Sequence, residues 1–209
     1  LSTLGNVYSD RDNPKKDNDK ALFYYTSAIT IDPTYTWAYE DRIKIYEELG
    51  EYEKALADYN TLIKLDSNSS LRYFERGKFY QYVMKDSLNL ALEDYSRAID
   101  LSTSKSSKAN SYNNRANIYW GEQKWELCID EYTKAISVLP DEAYYSNKGR
   151  VYQFLKKYEL ALENLNKAID ISDKACNYYY RALLYKETEE FTNTERDFST
   201  AIALATPLN

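Results

Sequence analysis

Whatever chemistry this 209-residue chain performs is done without imidazole, because the sequence contains no histidine. That removes serine–histidine and cysteine–histidine nucleophiles and histidine metal sites. Cys128 and Cys176 lie far apart with no CxxC spacing, so neither a disulfide framework nor a zinc site is implied. The five glycines are scattered singly and form no phosphate-binding loop. Carboxylates are plentiful, but their intervals suit solvated helix faces better than a catalytic pair. The expectation is a chain that is not an enzyme and that holds no cofactor and no metal.

The chemistry that remains is recognition by charge. Arg42, Arg76, Arg115, Lys148 and Arg181 recur through the chain, and each is followed 16 to 18 residues later by Asp58, Asp94, Glu131, Asn164 or Asp197. The one lysine goes with the one asparagine. If the two columns face each other on antiparallel helices, the pairs Arg42–Asp58, Arg76–Asp94, Arg115–Glu131 and Arg181–Asp197 are intramolecular. The alternative is a row of sites for a charged ligand.

The elements that must position these residues follow from internal repetition. A shift of 33 to 37 residues superimposes Ala21, Ala55, Ala91, Cys128, Ala161 and Thr194. Four residues on stand Tyr25, Tyr59, Tyr95, Tyr132, Leu165 and Phe198, and three further Ala28, Leu62, Ala98, Ala135, Ala168 and Ala201. An earlier block opens at Leu1, Tyr39, Tyr73, Tyr112, Tyr145 and Tyr178, with small residues four on (Ile43 excepted) and tyrosine seven on throughout. Offsets of three, four and seven place side chains on one face of an α-helix. Each unit is therefore two helices, and the small columns let their backbones approach while tyrosine fills the space beside the crossing. Cys128 in such a column reads as a small buried residue. Pro33 and Pro140 mark where second helices end, and Gly50 and Gly121 fall in inter-helix turns. Polar insertions interrupt the period at 9–20, 86–90 and 102–108, each expected as a surface loop or helix extension. The serine-rich 102–108 stretch has phosphorylation as its alternative.

This pattern resembles the tetratricopeptide repeat family, through Leu4-Gly5-x-x-Tyr8, Ala21-x3-Tyr25 and Pro33 in the first unit and Tyr112-x3-Ala116-x2-Tyr119, Cys128-x3-Tyr132, Ala135 and Pro140 in the fourth. The resemblance implies an all-α, right-handed superhelical solenoid of about six helix-turn-helix units, at about 1–33, 36–69, 70–105, 109–141, 142–174 and 175–207, forming one domain over 1–209. It further implies that first helices line a concave groove. The residues there not used for packing include Trp37, Phe74, Lys78, Tyr82, Asn113, Asn117, Trp120, Arg150, Phe154 and Tyr179, with Ser146 and Gln153 beside them. Asn113 and Asn117, one turn apart, suit the backbone of an extended peptide. Lys78 and Arg150 suit a carboxylate. The competing reading of Trp37, Phe74 and Trp120 is packing against adjacent units. Family members that bind acidic chaperone tails use a clamp of lysines, asparagines and arginine. Its best window here, Asn113, Asn117, Asn147, Cys176 and Tyr180, has no cation, so that ligand is not expected.

A net charge of -6 disfavours nucleic acid and anionic membrane as partners, and no apolar run approaches the ~20 residues of a membrane span. The expected function is a non-catalytic adaptor or scaffold binding a peptide or protein partner, in the cytoplasm. The alternatives are self-association through the terminal repeats and a regulatory domain of a larger bacterial protein. The start at Leu1 reads as a fragment or processed form, in which any export signal would already be missing.

Overall fold

The computed structural model describes residues 1–9 and 17–206. Among these, every regular element is helical: twelve α-helices and one 3-10 turn, with no strand. They divide into two compact units. The first, Leu1–Leu101, holds α1 (Ser2–Ser9), α2 (Asn18–Ile31), α3 (Thr36–Leu49), α4 (Tyr52–Leu65), α5 (Ser70–Tyr82) and α6 (Leu88–Leu101). The second begins at Ser102 and holds α7 (Lys105–Gly121), α8 (Trp125–Val138), α9 (Glu142–Phe154), α10 (Tyr158–Ile171), α11 (Ala175–Glu187) and α12 (Phe191–Ala205).

Local chemistry sets the helix ends. The carboxylates of Asp17 and Asp141 accept from the backbone N–H of Lys20 and Ala143, and the Ser104 hydroxyl accepts from Ser107, each satisfying a first-turn donor. Inside four of the pairs the turn closes in one way. The N–H of Glu51, Lys124, Lys157 and Glu190 donates back to the carbonyl of Tyr46, Tyr119, Tyr152 and Tyr185. The residue before each donor is left-handed: Gly50 (φ 73°), Gln123 (59°), Lys156 (58°) and Glu189 (62°). Glycine is at ease there, whereas a side chain costs about 1–2 kcal/mol. Gly121 is thus not the turn residue but the last residue of α7, and the left-handed position falls on Gln123.

Packing follows the small and aromatic columns. Ala21, Ala55, Ala91, Cys128 and Ala161 are fully buried, and so are Tyr25, Tyr95 and Leu165 four residues on. At Gly77 an added Cβ would lie 3.0 Å from the Tyr95 ring, so α5 and α6 approach as closely as that column allows. Cores run from one pair to the next within a unit: Ala116, Cys128, Tyr132 and Val151 join α7, α8 and α9. Each large side chain buried this way contributes roughly 1.5–3 kcal/mol.

The insertions take the expected polar forms where they are described. Lys85–Ser87 makes a 3-10 turn before α6. In the serine-rich stretch Ser104 caps a lengthened α7, and Ser102 is buried with its hydroxyl donating to the Ser104 carbonyl. Most of the 9–20 insertion lies outside the described residues.

Candidate functional site

The arginine and carboxylate columns meet as intramolecular pairs. Arg42 grips Asp58 with Nε and Nη2 at 2.8 and 2.7 Å, Arg76 grips Asp94 at 2.8 and 2.7 Å, and Arg181 grips Asp197 at 2.6 and 3.0 Å. Arg115 reaches Glu131 more loosely, at 3.1 and 3.2 Å. The four carboxylates are only 1 to 4% exposed. The hydrogen bonds it donates to Asp94 help hold the Arg76 guanidinium above its ordinary pKa. Bidentate forks in such burial are strong and directional.

Two further features were not read from the sequence. The opening tyrosine and the tyrosine seven on sandwich the guanidinium: Arg42 lies 5.6 Å from the ring centres of both Tyr39 and Tyr46, and Arg181 lies 5.5 and 5.9 Å from Tyr178 and Tyr185. Such contacts add attraction through the ring quadrupole. The remaining arm, Nη1, crosses to the preceding pair, donating from Arg42 to Thr26, from Arg76 to Asn60 and from Arg181 to Asn166, at 3.0, 2.6 and 2.7 Å. The signal was present: five residues after each small-column residue stands Thr26, Asn60, Ser96, Thr133, Asn166 or Ser199, always a small polar side chain. With every arm engaged, Arg42, Arg76 and Arg181 are spent on the fold, and the ligand-site alternative for them falls away.

Lys148 breaks the series. It makes no hydrogen bond or ion pair among the described residues, its opposite number Asn164 turns back to the Leu160 carbonyl, and burial together with the neighbouring Lys167 draws its pKa down.

Within each unit the first helices of neighbouring pairs lie side by side and present a common face. In the first unit Trp37 is 68% exposed and Tyr82 55%. Phe74 is half-buried against Tyr95 in its own pair, with ring centres 5.7 Å apart. Lys78 sits 5.8 Å over the Phe74 ring and pairs with Glu75 at 3.0 Å. A cavity of 330 Å³ between α3 and α5 is lined by Glu40, Lys44, Glu47, Leu71 and Glu75. Burial pushes the Glu47 carboxyl above the usual range, against the opposing hydrogen bond from Tyr59 at 2.9 Å, and nearby Glu75 adds to the rise.

In the second unit Asn113 accepts weakly from Asn147 at 3.4 Å, and Asn117 accepts from the Tyr132 hydroxyl at 2.6 Å. Tyr95 donates in the same way to Gln81 at 2.6 Å. These hydroxyls reach through from the second helix and fix the polar side chains of the first, which is why tyrosine serves where phenylalanine would fill the space equally well. Asn117 thus offers a partner its NH2 group, since its carbonyl is taken.

Trp120 packs edge-on against Trp125 at 5.4 Å and tilted against Phe154 at 6.2 Å, so for this residue packing on its own and the adjacent pair holds. Phe154 lies 4.5 Å from Trp125 yet stays 59% exposed. Tyr179, 47% exposed, leans on Tyr180 and Phe198. Ser146, expected in the groove, is buried: its side chain is too short to reach the surface at the position where Tyr179 does. Trp125 and Tyr180 complete the aromatic cluster, and only the lone tryptophan opening a second helix hinted at them.

Comparison with known proteins fits this architecture. A family model of the tetratricopeptide repeat matches residues 44–69 and 143–175. Those two stretches are similar to the tetratricopeptide repeat in sequence, and the helix-turn-helix architecture agrees with it. It is 30% identical over 125 residues to human Tetratricopeptide repeat protein 6, a match covering 60% of this chain and 23% of that protein, so the chain spans under a quarter of its relative's length. Among solved structures, the C-terminal part of a TPR repeat-containing protein from Cytophaga hutchinsonii superimposes with a TM-score of 0.72 at 19% identity, over 91% of this chain and 75% of that one. YrrB, described as a TPR protein with an unusual peptide-binding site, gives 0.59 at 17% identity, over 87% and 92%. The tetratricopeptide fold class, all-α and built of helix-turn-helix units, is that of the solenoids it matches. Tetratricopeptide proteins in general are interaction modules and scaffolds rather than catalysts. Among the described residues no helix is long and apolar enough to cross a membrane, and no group of three His, Cys, Asp or Glu side chains is placed to hold a metal ion.

Proposed function

We propose that this chain is a non-catalytic module that binds a peptide or protein segment along the first-helix face of its repeats. The observation that carries the reading is the state of Trp37, Tyr82, Phe154 and Tyr179. These are large aromatic side chains on first helices, each more than 45% exposed. Exposed aromatics beside amides such as Asn113 and Asn117 are what an interface core draws on. In this reading the partner is neither nucleic acid nor membrane, consistent with the net charge of -6, and the free thiols Cys128 and Cys176 suit a reducing compartment such as the cytoplasm.

The test is to select peptides from a random library on the full chain, then measure their binding to Trp37→Ser and Phe154→Ser, with Phe191→Ser on a second helix as control. Both first-helix residues are exposed, but Phe154 also touches Trp120 and Trp125, so thermal melts of the variants accompany the binding assay. Binding lost in either first-helix variant and kept in the control supports the proposal. Equal binding by all three moves the site to another surface.

A second reading, self-association, is favoured by the exposed Leu1, Leu4 and Val7 on or beside α1 and Ile202 and Leu204 on α12. A solution mass that rises with concentration supports it, and a constant monomer mass rules it out.

A further inference from the structure

In the second unit, Trp120 on α7, Arg150, Gln153 and Phe154 on α9, and Tyr180, Leu183 and Glu187 on α11 surround a cavity of 440 Å³, with Lys156 at its rim. That volume suits one large side chain and its neighbour. The Arg150 guanidinium lies 4.5 Å from the Tyr180 ring centre and 5.6 Å from that of Trp120. It makes no hydrogen bond or ion pair among the described residues. This contrasts with Arg42, Arg76 and Arg181, whose arms are all consumed. The one carboxylate in the cavity is already engaged: Glu187 accepts from Gln153 at 3.0 Å and from the Tyr158 hydroxyl at 2.9 Å.

We propose that this cavity recognises an aspartate or glutamate side chain within an extended peptide, next to an aromatic or large aliphatic residue. The inference rests on the peptide-binding reading above and names the partner's chemistry. The two rings flank the guanidinium and restrict it before binding, so it loses little further side-chain entropy and its donors stand ready for a bidentate carboxylate. Phe154, Trp120 and Leu183 supply the apolar surface for the neighbouring residue. Arg150 and Lys156 outweigh Glu187, so the cavity complements a negative charge. Glu187 disfavours a second carboxylate beside the first, which selects one acid with an apolar neighbour over an acidic run. An internal side chain fits better than a chain terminus, because Asn113 and Asn147 continue the polar surface along α7 and α9 beyond the cavity.

The probes are twelve-residue peptides selected by phage display on the full chain, resynthesised with an amidated C terminus, and titrated against wild type, Arg150→Gln and Arg150→Lys. The expected result is enrichment of Asp or Glu beside Phe, Tyr, Trp or Leu. Affinity should fall roughly tenfold or more in Arg150→Gln, and less in Arg150→Lys, which keeps the charge without the fork. Changing the peptide's acid to its amide should weaken wild-type binding as much and Arg150→Gln binding no further. Thermal melts of both variants confirm the fold. If selected peptides bind Arg150→Gln as well as wild type, the carboxylate assignment fails while peptide binding stands. If binding needs a free C-terminal carboxylate, the internal-acid assignment is wrong. If no peptide is enriched, both readings fail.

Discussion

Replacing Arg76 with methionine keeps the aliphatic stem between Tyr73 and Tyr80 and removes the fork. Asp94, 4% exposed, then loses charge-assisted hydrogen bonds of 2.8 and 2.7 Å, and the Asn60 carbonyl loses its 2.6 Å donor. Hydrogen bonds to charged groups contribute about 1.5–3 kcal/mol each, and stranding a buried carboxylate costs about 3–5 kcal/mol. These figures count the same interactions, so the expected loss is about 3–5 kcal/mol, a large part of the ~5–15 kcal/mol of an ordinary domain. A repeat contacts chiefly its neighbours, so the loss should concentrate in α4, α5 and α6. Urea denaturation followed by far-ultraviolet circular dichroism gives the magnitude, and native-state amide exchange gives its location. Arg76→Lys should be intermediate. Arg76→Met with Asp94→Leu should recover much of the stability, because no buried charge is left alone. A loss below about 1 kcal/mol in Arg76→Met, the level of an exposed pair, would refute the reasoning.

The same substitution two positions along the series, at Lys148, should act in the opposite direction. Lys148 faces Asn164 where the other units have an acid, and burial and Lys167 draw its pKa down against the weaker opposing pull of Glu163, so the charged form costs stability below the lowered value. Lys148→Met should therefore raise the urea midpoint at pH 7, and a lowered midpoint would contradict this. Glu47 has a pKa raised above the ordinary 4.5 by burial, so folding takes up a proton between that value and the raised one. Its contribution is present below this window and is lost as pH rises through it. Glu47→Gln should accordingly be more stable than wild type at pH 7, with a flatter profile across the acidic range; superimposable pH profiles would count against it. For the thiols, burial pushes Cys128 up to about 12 while Cys176 is exposed. One equivalent of alkylating reagent should react quickly in the native protein, at Cys176, and the second only on unfolding, as mass spectrometry would show. Two fast equivalents would place Cys128 within reach of solvent.

The sequence by itself determined the helix pairs, their packing faces and the ion pairs that bind first helix to second. The reason is that these rest on local periodicity. Offsets of three, four and seven fix which residues share a face, and a fixed offset from Arg42 to Asp58 or from Arg181 to Asp197 fixes what meets across an antiparallel pair. Even the departures were consistent, since Lys148 and Asn164 change together. Tertiary structure alone decided how the first-helix aromatics and Arg150 are used. Whether a first-helix aromatic is spent or offered depends on the neighbouring helix: Phe74 is taken by Tyr95, Trp120 by Trp125 and Phe154, and Trp37 by nothing comparable. Arg150 is set between Trp120 and Tyr180, each 30 residues away in sequence. Periodicity fixes a side chain's direction from its own axis. The small rotation and translation between successive pairs sets its partner, and that displacement is the sum of many packed contacts with no local sequence signature.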